Sequence, residues 1–198
     1  MKINRIIIIA ALTCLLLTGC TKTNTKTISE SIKQLELTGN LVTLQAHYHN
    51  VIEYTKEKES GILHMFDKDR VLFAEYNGSI KLGIDLSKVK FESANSKIKV
   101  TLPKADVIGE PTVDKENFKS ENFIESEDTF LNGNEITMVD SNKALEEAQS
   151  KMKESAQNDN DLKSKAQMRA KTVIMENIKQ VTGLSDKELS EKFEWEYE

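Results

Sequence analysis

Between Val42 and Tyr54 the side chains change character at every step. Val42, Leu44, Ala46, Tyr48, Ile52 and Tyr54 alternate with Thr43, Gln45, His47, His49 and Glu53, and Asn50 interrupts the apolar series. A period of two puts the two sets on opposite faces of a strand, so this stretch predicts a long strand with one buried face. The charged "TKEKES" and Gly61 end it.

The same period returns downstream. "VLFAEY" runs into Asn77-Gly78, a strong short-range hairpin signal because both residues accept positive φ. Ile80, Leu82, Ile84 and Leu86 follow on one face, then Val89 and Phe91, the turn-like "ESANS", and Ile98, Val100 and Leu102 before Pro103. Alternation of this kind predicts an antiparallel meander with one covered face. Residues 105–139 hold too few apolar residues in register for an element and read as loop and short turns.

The period then lengthens. Residues 141–157 predict a helix with Asp140 as N-cap and Ala144, Leu145, Ala148 and Met152 on one face. "NDND" at 158–161 breaks it. A second helix carries Leu162, Ala166, Ala170, Val173, Ile174, Ile178 and Val181, and Gly183 stops it. Ser185 and Glu188 have capping-box spacing for a last turn of helix. Phe193, Trp195 and Tyr197 alternate with glutamates as a closing strand, and Ile28, Ile32 and Leu35 suggest a short helix over 29–37. The class is α+β, an antiparallel β meander packed against C-terminal helices with a final C-terminal strand.

The N-terminus speaks to location. Lys2 and Arg5 precede an apolar run over 6–17, interrupted only by Thr13. That length suits a signal-peptide core and is short for a membrane span. Leu17-Thr18-Gly19-Cys20 then matches the bacterial lipobox, in which small residues precede a thiol that carries the lipid. The predicted organisation is a signal peptide over 1–19, a lipidated Cys20 and tether over 20–30, and one domain over 31–198. Cys14 would leave with the signal, so no internal disulfide is expected. Anchoring through Cys20 would place the protein on the extracytoplasmic face of a bacterial membrane, with palmitate among its acyl chains.

Net charge is −5, and loss of residues 1–19 removes Lys2 and Arg5 to leave 25 basic against 32 acidic side chains. Such a balance repels polyanions, so nucleic acid is not an expected partner.

"LVTLQAHYHNVIEY", "GSIKLGIDLSKVK" and "IKVTLPKADVI", followed by "ALEEAQSKMKESA", an alanine-dotted helix and the acidic–aromatic terminus, resemble in order and spacing the bacterial family known as domain of unknown function 4230. The resemblance covers about residues 35–198. It implies an envelope-associated α+β domain and supplies no catalytic residues.

Candidate chemistry is sparse. His47 and His49 share a strand face with Glu53, and His64 is the only other histidine, so these are the candidate metal ligands. A single H-x-H without the rest of a ligand set reads first as solvated strand residues. Asp85, near Lys81, is a conceivable general base, but Gly83 and Asp85 read more simply as a bulge and a strand-end cap. "DKDRVLFAEYNG" lacks the glycine and glutamate of a calcium loop. No P-loop, dinucleotide or G-x-S-x-G pattern occurs. Met152 and Met175 read as core filler and Met168 as a boundary residue, while the charged helix faces read as solvated. No cofactor is expected. The functional expectation is an envelope binding or scaffold module with a protein partner, and the alternative is a metal-dependent hydrolase built on His47 and His49.

Overall fold

The fold is given by a computed structural model that describes residues 28, 30–32, 37–58, 60–65, 67–94, 96–119, 122–125 and 134–198. The signal, lipobox and Cys20 lie outside the described residues. Of the helix expected over 29–37, residues 30–32 are helical, Leu37 is not, and 33–36 lie outside the described set.

Strand β1 (Asn40–Lys56) pairs antiparallel with β2 (Arg70–Asp85) along nearly its whole length. The alternation read in β1 holds from Leu44 onward, with Ile52 buried and Leu44, Ala46, Tyr48 and Tyr54 packed against the core. It fails at the start, where Val42 is exposed and Thr43 turns toward Ala166 because the register slips there. The Asn77-Gly78 hairpin is corrected: the chain passes straight through both residues, and Gly78 lies opposite Tyr48. The glycine serves another purpose. A Cβ at Gly78 would overlap Met152 Cε and lie 2.9 Å from Thr112 O, so its absence lets the helix layer approach the middle of β2. At Gly83, a Cβ would overlap the Leu41 carbonyl, and the register slips by one residue opposite it, between Val42 and Leu44. That is the bulge expected there.

The free edge of β2 is lined by three two-residue strands, β5 (Asp106–Val107), β6 (Thr112–Val113) and β7 (Ile124–Glu125). A 3-10 turn over Lys115–Phe118 lies between β6 and β7 and buries Phe118 against Tyr76 and Phe123. A second sheet orders β3 (Lys90–Ala94), β4 (Lys97–Leu102) and β8 (Phe193–Tyr197). β3 and β4 pair antiparallel as expected, but Glu92, Ser93 and Ala94 of the stretch read as turn-like belong to β3, and β8 returns beside β4 in parallel.

Helix α1 (Met138–Asn158) begins three residues before its predicted start. Thr137 is the N-cap, and Asp140, expected there, is the third helical residue of a capping box whose carboxylate bonds back to Thr137. A carboxylate suits either place, and only the backbone decides between them. Asp159 closes α1 and caps α2 (Asn160–Thr182) through Asp161 N and Leu162 N. Gly183 ends α2, and α3 (Asp186–Lys192) opens on the Ser185–Glu188 capping box. Ala144, Ala148, Met152, Ala166, Ala170, Ile174 and Ile178 are buried, whereas Val173 and Val181, expected on the apolar stripe, are exposed. A strict i, i+4 row already satisfies the contact α2 makes, and those two valines fall beside it. Met175 packs against the core and Met168 is exposed.

The helices follow β1 backwards. Asp140 meets Lys56 at its end, Ser155 meets Tyr48, and Ala166 meets Thr43. Residues 140–155 advance about 22 Å as helix, against about 26 Å for residues 48–56 as strand. The two helices therefore continue one another instead of folding into a hairpin. α2 then reaches the second sheet, where Lys171 Nζ sits 5.3 Å from the centre of the Trp195 ring. Among the described residues, no helix is long and apolar enough to cross a membrane.

Candidate functional site

With α1 and α2 covering one face of the β1–β2 pair, the odd-numbered residues point the other way. Gln45, His47, His49, Val51 and Glu53 of β1 and Glu75, Asn77 and Lys81 of β2 are exposed there. Cross-strand contacts order this surface. His49 Nε2 lies 2.7 Å from Glu75 Oε1, His49 Nδ1 lies 2.8 Å from Asn77 Oδ1, and Gln45 donates to Ser79 Oγ at 3.0 Å.

His47 and His49 thus share a face as expected, but both ring nitrogens of His49 are engaged, which leaves neither as a ready metal donor. His64 belongs to the 3-10 turn Ile62–His64 in the β1–β2 connection and bonds Asp67 Oδ2 at 2.7 Å. The last paired residues before that connection, Lys56 and Arg70, are already about 30 Å along the strand from His47. Among the described residues no three His, Cys, Asp or Glu side chains converge on a metal position. The hydrolase alternative draws no support from this geometry.

Asp85 is occupied locally. Its Oδ1 accepts from Ser87 Oγ at 2.6 Å and Ser87 N at 3.0 Å, and Lys88 Nζ is 3.4 Å from Oδ2. The Ser87 hydroxyl and then its amide, with a lesser contribution from Lys88, hold this carboxyl below the usual carboxylate range against the opposing effect of burial. The strand-end cap accounts for the residue, and the general-base reading does not.

One polar cluster carried no sequence signal. At the far end of the hairpin, Asp140 accepts from Lys56 Nζ at 2.9 Å, from Thr137 N at 2.8 Å and from Thr137 Oγ1 at 2.6 Å. Lys56 and Asp140 are both nearly buried, at 13 % and 7 % side-chain exposure. Burial alone would raise the Asp140 carboxyl, but the Thr137 bonds and the Lys56 ammonium outweigh it and hold the carboxyl low. Burial and the nearby Asp140 and Glu147 charges push the Tyr54 phenol up. An open cleft of about 450 Å³ adjoins the cluster, and another of about 600 Å³, lined by Phe118, Met138 and Leu145 with Lys115 and Lys119, flanks the start of α1. The Asp140 carboxylate already takes two hydrogen bonds from Thr137 and the Lys56 ammonium, so the cluster reads as a strut between hairpin and helix. Lys56 and Asp140 lie far apart in sequence, and no local pattern links them.

Residues 33–188 match the family described as "Protein of unknown function (DUF4230)". The chain belongs to the DUF4230 family. The match takes in everything from the approach to β1 as far as α3, including the outer hairpin face and the Lys56–Asp140 strut, and stops short of β8. The resemblance read from the strand and helix stretches is therefore correct. No curated protein and no solved structure matches the chain.

Proposed function

We propose that this DUF4230 protein is a lipid-anchored binding module of a bacterial envelope, which engages another envelope component through the outer face of the β1–β2 hairpin. The carrying observation is that face: a long, cross-braced polar surface that no described element covers, on a strand pair whose other side packs against the core and the helices. Rigid elements that present ordered polar groups suit recognition, and among the described residues no metal-ligand set converges.

The lipobox at Cys20 supports attachment to the extracytoplasmic face of the membrane. Ile28 is only 1 % exposed, so the core begins eight residues beyond Cys20, a reach of at most about 28 Å even if fully extended. A module held this close meets partners within or against the same membrane.

Two measurements test this reading in living cells. Cys20→Ala is expected to abolish fatty-acid labelling and move the chain from the membrane to the soluble fraction, and persistent labelling would refute the anchor. A photo-crosslinking residue at Lys81, on the outer face, is expected to form one dominant adduct with a different envelope component, whereas the same probe at Lys151 on α1 does not. Equal capture from both positions, or none from Lys81, refutes the assigned face.

A further inference from the structure

β1 is an edge strand. Among the described residues nothing pairs with its outer side. Its ends are tied down: Thr43 at the bulge donates its hydroxyl to Ala166 O at 2.7 Å and accepts Arg169 Nη1 at 3.4 Å, and Asn134 Nδ2 reaches the Lys56 and Glu57 carbonyls at 3.5 and 3.4 Å. The stretch between, 44–55, contains no lysine, proline or glycine and a single charge, Glu53. Edge strands are usually protected by lysine, proline, bulges or shortness, because an open row of backbone donors and acceptors invites another strand. This edge has none of those protections along its middle.

We propose that it pairs with the same edge of a second copy, antiparallel about a two-fold axis at Asn50. The sequence around Asn50 is matched to itself. On the outer face such pairing sets His47 against Glu53 of the second copy, Gln45 against Thr55 and His49 against Val51. On the inner face it sets Tyr48 against Ile52 and Ala46 against Tyr54, apolar against apolar. At the axis two Asn50 amides meet, each with a donor and an acceptor. Moving the axis by one residue either way loses this match: at His49 it places Asn50 against Tyr48, and at Val51 against Ile52. His47 and Glu53 are among the exposed polar side chains of β1 for which the described residues show no bond, whereas His49 and Gln45 already bond across to β2. Main-chain hydrogen bonds supply the attraction, and the side-chain match fixes the register. The inference concerns the strand edge, and it stands whether or not Cys20 carries a lipid.

The full chain, purified in detergent, provides the test. N50C places two thiols directly opposite, with Cβ atoms about 4.5–5.5 Å apart, close to disulfide geometry. Mild oxidation is expected to give a covalent dimer whose bond joins the two introduced thiols, as read by peptide mass spectrometry. N40C, whose two copies would stand about 66 Å apart, is expected to give none. H47E, which sets two like-charged pairs across the axis, is expected to raise the dimer dissociation constant about tenfold, and H47E/E53H to restore it. His47 is exposed, so the monomer keeps its fold and its circular dichroism in each variant. A chain that stays monomeric with N50C inert overturns the proposal. So does dimerisation through other positions, or reaction of N50C only with an extended segment of a different protein.

Discussion

At Gly78 a missing side chain does structural work. The space a methyl group would need is filled by Met152 and bounded by the Thr112 carbonyl, so Gly78→Ala is expected to cost about 1–3 kcal/mol through overpacking. Urea unfolding measures it. Met152→Ala alone removes a buried side chain and costs about 2–3 kcal/mol, yet the double variant should lose less than the sum, because each change relieves the other. Additive losses would mean that helix and strand do not meet here. Lys56 and Asp140 form the other sensitive point. Lys56→Met is expected to cost about 2–3 kcal/mol, somewhat under the cost for a fully buried pair because Thr137 still satisfies the carboxylate. The Asp140 carboxyl titrates lower in the folded chain than in the unfolded one. Its contribution is therefore complete above about pH 4 and disappears as the pH falls through the folded-state value. Asp140→Asn should accordingly lower stability at neutral pH and flatten its decline below about pH 4. An unchanged acid limb would contradict that assignment. Neither point was legible beforehand: a glycine after asparagine is a turn signal until a helix is seen lying over it, and a lysine and an aspartate so far apart have no reason to be paired on paper.

Among the elements, those whose signal is local were the readable ones. The alternation in β1 and β4, the alanine rows of α1 and α2, Gly183 and the Ser185 capping box all express preferences that each short stretch holds by itself. What stayed hidden depends on a distant partner. Asn77-Gly78 favours a turn in isolation, but β1 offers an unbroken ladder on one side and β6 pairs at Gly78 on the other, and those bonds outweigh the local preference. The parallel seating of β8 beside β4 joins residues almost a hundred positions apart. The candidate histidines follow the same rule, since alternation placed His47 and His49 on one face while only the assembled sheet brought Glu75 and Asn77 to His49. The junction of the helices is a local feature with a local test. Asp159 accepts from Asp161 N and Leu162 N, both at 3.0 Å, so Asp159→Ala is expected to lower the stability of the chain by about 1 kcal/mol, measured by thermal unfolding. No change would mean that other groups cap α2.

The described residues form two sheets, and the chain passes from the first to the second between β2 and β3, back between β4 and β5, and once more through the helices to β8, with α2 as a shared helix. The single tryptophan, Trp195, lies in the second sheet beneath Lys171 of α2, while most of the helical signal comes from α1 and α2. Because α2 packs on both sheets, fluorescence from Trp195 and far-ultraviolet circular dichroism are expected to report one coincident unfolding transition. Two separated transitions would mean that the second sheet melts alone. The shared helix also changes what the break at Asp159 can do. In a free pair of helices such a break would be a joint. Here α2 is fastened to β1 at Ala166, just past the break, and α1 is fastened to the same strand at Asp140 and Ser155, before it. The hairpin acts as a splint across the fracture. Bending at Asp159 would have to tear both helices from the strand beneath them, so the strand stiffens the molecule at the point where its helices break.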